Sequence, residues 1–331
     1  MSRIHTPVSS LVQKGDAAAT AQFAADVQYY LMQTPRQLPS RYLYDALGSA
    51  LFEAICRLPW YRITRAEERL LMQHAADVLH RVSPLSKVVE LGSGSGEKLR
   101  LLIGDRGPGA APLDVHLIDV SSAALDASAR AVESLERVRV MPHQASYEDG
   151  LREVGGHLHA DGRALVLFLG SNIGNYDPPN ASAFLDSVRH QLRAGDAFLV
   201  GADLVKPARE LQLAYDDPLG VTAAFNRNLL VRINRELGGD FDIDQFAHEA
   251  VFNVLESRVE MHLVARRAQE IHVEAAGITF TMQEGERIWT ESSYKYRPEE
   301  VVQQLEAAGF RLLAQWLDAD DHFALTLVEA V

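Results

Sequence analysis

The chain of 331 residues has a single cysteine, Cys56, so no disulfide can form within it and its stability has to come from a buried core. Cations are in deficit: 32 Lys and Arg against 45 Asp and Glu leave a net charge of −13. With no surplus of cations to replace phosphate counterions, no nucleic acid partner is expected. No apolar run approaches the length of a membrane span or follows a basic N-terminus like a signal peptide, so no membrane partner is expected and the expected placement is cytoplasmic. Internal repeats, low-complexity tracts and long Gly/Ser linkers are also missing, so any lobes must be read from changes of pattern. The expected state is a monomer acting on a small-molecule substrate. Cys56 closes Leu51-Phe52-Glu53-Ala54-Ile55-Cys56, where a buried helical thiol is the ordinary reading and a nucleophile is not.

The stretch ELGSGSGEK, Glu90 to Lys98, is the most informative feature present. Lys87-Val88-Val89-Glu90 runs straight into Gly92, Gly94 and Gly96, the pattern of a buried strand turning sharply into a helix. Glycine permits the turn and lets a ligand approach the backbone, while N–H groups at the helix start attract polar or anionic atoms. The spacing Gly-x-Gly-x-Gly matches neither the dinucleotide fingerprint nor a P-loop. A second apolar run, Val115-His116-Leu117-Ile118, ends in Asp119, placed at the next strand tip to accept two ribose hydroxyls. Together these motifs resemble those of class I S-adenosylmethionine-dependent methyltransferases.

Thr64-Arg65-Ala66-Glu67 reads as a capping box opening a helix with Leu70, Leu71, Ala75, Val78, Leu79 and Val82 on one face. Strand-like and helical runs then alternate from Val88 to Ala202, which predicts an α/β fold, a doubly wound parallel sheet covered by helices. After about Lys206 the rhythm breaks. A helix is predicted over Val221–Leu237, and Val259–Ala265, Glu270–Val273 and Ile278–Met282 read as antiparallel strands. The sheet pattern resumes near Arg297 with a helix from Pro298 to about Gly309 and a strand pair over Phe310–Leu317 and Phe323–Val328. The expected division is a core of residues 65–205 and 296–331, and an α+β recognition lobe of residues 1–64 and 206–295 roofing the pocket.

Outside the core, the segments YLYDALGSALFEAICRLPWYRITRAEERLL, FLGSNIGNYDP, AYDDPLGVTAAFNRNLLVRINREL and TESSYKYRPEE accompany ELGSGSGEK. In the same order and at similar intervals, these resemble the histidine-specific Nα-methyltransferases of ergothioneine biosynthesis, over nearly the whole chain after about residue 25. The resemblance implies a seven-stranded methyltransferase sheet, S-adenosyl-L-methionine as cofactor, and three methyl transfers to the α-amine of L-histidine, giving hercynine. Displacement at a sulfonium methyl needs little covalent chemistry from the protein; the rate comes from holding a neutral amine opposite the departing sulfur with water excluded.

By the same resemblance, Tyr61, Asn175 and Tyr215 grip the substrate carboxylate with phenol and amide donors, a cradle expected to carry no formal charge and so to favour the neutral amine. Tyr44 stands beside the amine and orients it; an ordinary phenol is protonated near neutral pH and is a poor base. Glu291 accepts an imidazole N–H, Ser293 bonds the other ring nitrogen, and Met261 packs against the ring. Gly92, Lys98, Asp119 and Gly170 are carried over as cofactor contacts. Ala145-Ser146-Tyr147 departs from the family pattern, which has an acid where Ser146 stands, so Ser146 offers adenine a weaker contact beside the aromatic Tyr147.

Taken singly, each residue has a plainer reading. Tyr61 and Tyr215 can be packing tyrosines, Asn175 a turn former, Met261 a core filler, Glu291 a solvated strand residue, Asp119 a helix cap and Lys98 a surface charge. No metal is expected: neither His157-Leu158-His159 nor Asp318-Ala319-Asp320-Asp321-His322 has a regular zinc spacing with a third partner near in sequence.

Overall fold

The structure is a computed structural model that describes residues 9–104, 106, 109–156 and 162–331; the His157-Leu158-His159 segment lies outside the described residues. The chain opens with α1 (Ser9–Leu31), a two-residue strand β1 (Arg36–Gln37) and α2 (Ala46–Cys56), whose first turn is capped by Asp45 accepting from Gly48 N. Next come α3 (Ile63–Arg81), β2 (Leu85–Leu91), α4 (Glu97–Ile103), β3 (Leu113–Asp119), α5 (Ser122–Glu133), β4 (Val138–Gln144), α6 (Tyr147–Gly155), β5 (Arg163–Phe168), α7 (Pro178–Gln191) and β6 (Ala197–Asp203). A distinct block follows: α8 (Ala208–Tyr215), α9 (Val221–Leu237), β7 (Phe246–Asn253), β8 (Arg258–Ala265), β9 (Gln269–Val273), β10 (Ile278–Met282) and β11 (Arg287–Tyr294). The chain closes with α10 (Pro298–Ala307), β12 (Phe310–Asp318) and β13 (Phe323–Ala330).

The main sheet has seven strands in the order β12-β13-β6-β5-β2-β3-β4, with β13 alone running antiparallel to its neighbours. Val88, Val89, Leu165, Val166 and Leu167 are fully buried because helices cover both faces, which is why these strands read as unbroken apolar runs. From β2 the chain steps outward to β3 and β4, then crosses back to β5 and β6. The carboxyl ends of β2 and β5 therefore flank the point where the winding reverses, the natural crevice of such a sheet.

The second unit is a four-stranded sheet, β1-β11-β8-β7, backed by α8 and α9. Its first strand comes from the N-terminal segment, which thus packs into the later block. The chain leaves and re-enters the main sheet at one place, where Leu204 bridges Tyr296. The strands β9 and β10 pair as a separate ribbon rather than with β8, and β7 and α8 were not legible in advance. On α3, the buried face includes Ala66, Leu70, Leu71, Ala75 and Val78. Truncating a wholly buried leucine such as Leu71 to alanine costs about 2–5 kcal/mol, from lost transfer energy and the cavity left behind.

The start of α3 is not a capping box. Arg62 occupies the N-cap without a side-chain bond, and Glu67 turns inward to a tertiary role.

Candidate active site

Two adjoining cavities open at the crevice. The smaller is lined by Tyr44, Phe52, Tyr61, Gly170, Asn172, Asn175, Tyr215, Phe225, Met261, Glu291 and Ser293, among others. The larger runs along the glycine loop from Gly92 to Lys98 and takes in Glu90 and Gly170. Phe52, Tyr61, Gly170 and Asn172 line both, so one wall separates and joins the two spaces.

The side chains of the smaller cavity arrive on several different elements. Tyr44 precedes α2 and packs edge-on against Phe52 and Phe225, each at 5.5 Å between ring centroids. Tyr61 lies between α2 and α3, and its ring meets that of Tyr215, the last residue of α8, at 6.2 Å. Asn175 ends a 3-10 turn, Asn172–Asn175, pressed so closely on β11 that a Cβ on Gly174 would lie 2.7 Å from the Tyr294 carbonyl oxygen. Glu291 and Ser293 project from β11, and Glu291 sits opposite Met261 of β8. The pairing is irregular between Trp289 and Glu291, and the intervening Thr290 is buried with its hydroxyl donating to Met261 O at 3.0 Å. Such a bulge re-aims the following side chains. Behind Tyr215, Asn226 donates to His248 Nδ1 at 3.0 Å, which leaves His248 Nε2 to donate to the Tyr215 carbonyl at 2.8 Å.

Burial sets the electrostatics. It pushes the Glu291 carboxyl up to about 7, with Lys295 pulling the other way. It also raises the phenols of Tyr44 and Tyr61 well above their ordinary value, so both keep their protons at neutral pH in the empty cavity.

The cradle is not free of charge, contrary to the expectation from its tyrosines and amide. Lys295, fully buried, donates to Tyr215 Oη at 2.8 Å and Ser293 Oγ at 2.9 Å and ion-pairs with Asp203 Oδ2 at 2.9 Å. Tyr215 Oη and Ser293 Oγ are themselves 2.8 Å apart, so the Ser293 hydroxyl is held on the tyrosine side of the cavity. Lys295 and Asp203 were missed because a lysine between two tyrosines reads as a surface charge, and its partner lies at the far end of β6.

The larger cavity is shaped by the glycine loop. Gly92 has φ +81°, and a Cβ there would stand 2.9 Å from both Asn172 Nδ2 and Tyr147 Oη. Glu90 is 2 % exposed, and its Oε2 has no hydrogen-bond partner among the described residues. Burial, opposed by Lys98, pushes this carboxyl up to about 8. A buried, unsatisfied acceptor in this cavity fits a large ligand that brings a cation or an N–H donor, as S-adenosylmethionine does.

Lys98 lines the same cavity and pairs with Glu67 at 2.6 Å; it is no solvated surface charge. Both Glu67 oxygens also accept from Gly170 N, at 2.9 and 2.8 Å. Gly201 on β6 makes room for that carboxylate, since a methyl group there would collide with it. Asp119 Oδ1 accepts from Ser121 N at 2.9 Å and Oδ2 from Gly94 N at 3.4 Å, which ties the loop to β3. Ser146 caps α6: its hydroxyl accepts from Asp149 N at 3.1 Å and bonds the Asp149 carboxylate at 2.8 Å. Tyr147 packs edge-on against Phe168, with its hydroxyl behind Gly92. Of the cofactor residues read from sequence, Gly92, Lys98 and Gly170 line the cavity wall, whereas Asp119, Ser146 and Tyr147 do not; Asp119 and Tyr147 meet the glycine loop at Gly94 and Gly92. Away from both cavities, Asp318 and Asp321 are engaged by Arg69, and Asp321 also by Arg62.

A family model described as histidine-specific, SAM-dependent methyltransferase matches residues 23–330. A histidine N-alpha-methyltransferase of Mycobacterium tuberculosis is 40% identical over 314 residues, covering 95% of this chain and 96% of that protein. Its counterpart in Mycolicibacterium smegmatis is also 40% identical, over 94% of this chain and 96% of its own length. Ergothioneine biosynthesis protein 1 of Neurospora crassa is 28% identical over 77% of this chain and 31% of its own length.

Proposed function

The chain belongs to the family of histidine-specific, S-adenosylmethionine-dependent methyltransferases, and from that premise we propose that it methylates the α-amine of L-histidine three times, giving hercynine for ergothioneine biosynthesis. The observation that carries this reading is the convergence of Tyr44, Tyr61, Asn175, Tyr215, Met261, Glu291 and Ser293, drawn from separate elements, on one cavity that shares a wall with the glycine-loop cavity.

In this reading the glycine loop, Glu90, Lys98 and Gly170 border the cofactor, with Asp119, Ser146 and Tyr147 as its ribose and adenine contacts. S-adenosylmethionine supplies an electrophilic methyl group on a positively charged sulfur. The chain's own residues position the acceptor. Tyr61, Asn175 and Tyr215 donate hydrogen bonds to the histidine carboxylate. Tyr44 keeps its proton and orients the amine. Glu291 accepts an imidazole N–H, and Met261 packs on the ring face. An apolar amino acid would leave the Glu291 carboxylate desolvated and unpaired, at a cost of about 1–3 kcal/mol or more, which selects against leucine or phenylalanine. Excluding water strengthens each of these contacts. The enclosing side chains Phe52, Ile55 and Phe225 serve that end.

The test is to incubate the purified protein with S-adenosylmethionine and each amino acid separately and to read products by mass spectrometry. Histidine is expected to yield mono-, di- and trimethylated products with the methyl groups on the α-nitrogen. Absence of trimethylhistidine, or methylation on the ring, would overturn the reading.

A further inference from the structure

We infer that Lys295 is a positioning residue that aims the hydroxyl protons of the site, so that Tyr215 donates into the substrate cavity while Ser293 is left to accept. The inference rests on the reading of this cavity as the amino-acid site. An ammonium group carries three N–H donors and no lone pair, so any hydroxyl in contact with it must accept. Lys295 Nζ lies 2.8 Å from Tyr215 Oη and 2.9 Å from Ser293 Oγ, so both oxygens accept from it. Those two oxygens are 2.8 Å apart, which uses one of their two hydrogens between them. One hydroxyl hydrogen therefore remains for the cavity.

Which hydroxyl keeps it is decided by the ligand. A carboxylate only accepts, so with the substrate carboxylate at Tyr215 the serine must donate to the tyrosine and the tyrosine to the carboxylate. The reverse order would aim a phenol lone pair at an anion. Ser293 then faces the ring with a lone pair, so it meets a ring N–H; with Glu291 accepting the other, the ring is held as imidazolium. Lys295 is itself fixed by Asp203 Oδ2 at 2.9 Å, and Asp203 is anchored by Lys206 at 2.6 Å and by its own N–H to Ser171 Oγ at 2.9 Å. Ser171 begins the turn that carries Asn175, so one buried network supports two carboxylate donors. Without the ammonium nothing obliges the Tyr215 oxygen to accept from behind, and its hydrogen is free to turn away from the cavity.

The experiment is a mutant cycle read by calorimetry of histidine binding in the presence of S-adenosylhomocysteine. Lys295→Met and Lys295→Gln are compared with Asp203 left in place, since its ion pair with Lys206 keeps it from becoming an orphaned charge; glutamine, unlike lysine, can also accept. Whichever of the two retains S-adenosylhomocysteine affinity within about twofold carries the cycle. It is expected to bind histidine roughly tenfold or more weakly, the loss of a hydrogen bond to a charged group. Histamine, which lacks the carboxylate, should lose no more than about twofold, because the aimed proton is not used. Tyr215→Phe should weaken histidine binding by a similar factor, and adding the Lys295 change to it should cost less than about twofold more, since both act through one proton. Unchanged histidine affinity in the Lys295 variant, or losses that multiply in the combined variant, would overturn the inference. An unmodified protein that binds S-adenosylhomocysteine but not histidine would instead overturn the reading of the cavity.

Discussion

Replacing Glu291 by glutamine keeps the shape of the side chain and removes a charge that its surroundings oppose. Burial pushes the Glu291 carboxyl from an ordinary 4.5 up to about 7, with Lys295 as the opposing influence. The difference corresponds to about 3 kcal/mol of penalty on the ionised form in the empty pocket. Because the value in the folded state lies above that in the unfolded state, the folded state holds this proton more tightly. The associated stability is complete below about pH 4.5 and is lost as the pH rises through about 7. Glutamine has no such proton. Glu291→Gln should therefore match the unmodified protein near pH 4.5 and exceed it above about pH 7, by an amount approaching 3 kcal/mol and a few degrees of melting temperature. Bound ligand should show the opposite preference. An imidazole N–H on a buried carboxylate is worth about 1.5–3 kcal/mol, so histidine affinity should fall roughly 10- to 100-fold while S-adenosylhomocysteine affinity holds. Thermal unfolding of both proteins across this pH range, with calorimetry of each ligand, measures the trade. A stability gain that is the same at both ends of the range, or equal losses for both ligands, would refute the reasoning.

Glu90→Gln should likewise stabilise the empty protein increasingly as the pH rises from about 4.5 to about 8, the value to which burial pushes the carboxyl. It should also weaken S-adenosylmethionine binding by about tenfold, since Glu90 Oε2 has no partner among the described residues; unchanged affinity by calorimetry would contradict this. Glu67→Ala leaves the half-buried Lys98 and the Gly170 N–H without their partner and should cost about 1–3 kcal/mol in denaturant unfolding, whereas adding Lys98→Met should recover much of it. A double variant no more stable than the single one would count against the pair. Gly174→Ala drives a methyl group to 2.7 Å from the Tyr294 carbonyl oxygen, so the turn bearing Asn175 must shift and histidine affinity should fall well beyond that for S-adenosylhomocysteine.

The alternating strands and helices of the main sheet were legible because helices cover both of its faces. Leu165, Val166 and Leu167 cannot be confused with a half-exposed strand, and helix α9 matches its predicted bounds, Val221–Leu237. Short elements held by tertiary contacts escaped. The helix α8 spans only Ala208–Tyr215, although Leu211, Ala214 and Tyr215 show its buried face, and β7 mixes apolar with charged residues. Glu67 was misread for a physical reason. Its local spacing from Thr64 imitates a capping box, but its partners, Lys98 and Gly170, are brought close only by the fold. Lys295 escaped in the same way, since nothing in Tyr294-Lys295-Tyr296 points to Asp203. Convergence on one cavity was readable only by resemblance: residues 44, 61, 175, 215, 261, 291 and 293 share no local pattern.

The central claim is that one enclosed space holds the amino acid by its carboxylate, with its amine turned toward the glycine-loop cavity. A crystal structure with histidine and S-adenosylhomocysteine bound tests it most directly. The carboxylate is expected within hydrogen-bond reach of Tyr61, Asn175 and Tyr215, the imidazole against Glu291, and the amine facing the sulfur. A histidine bound with its carboxylate elsewhere, or with its ring toward the sulfur, would contradict the account.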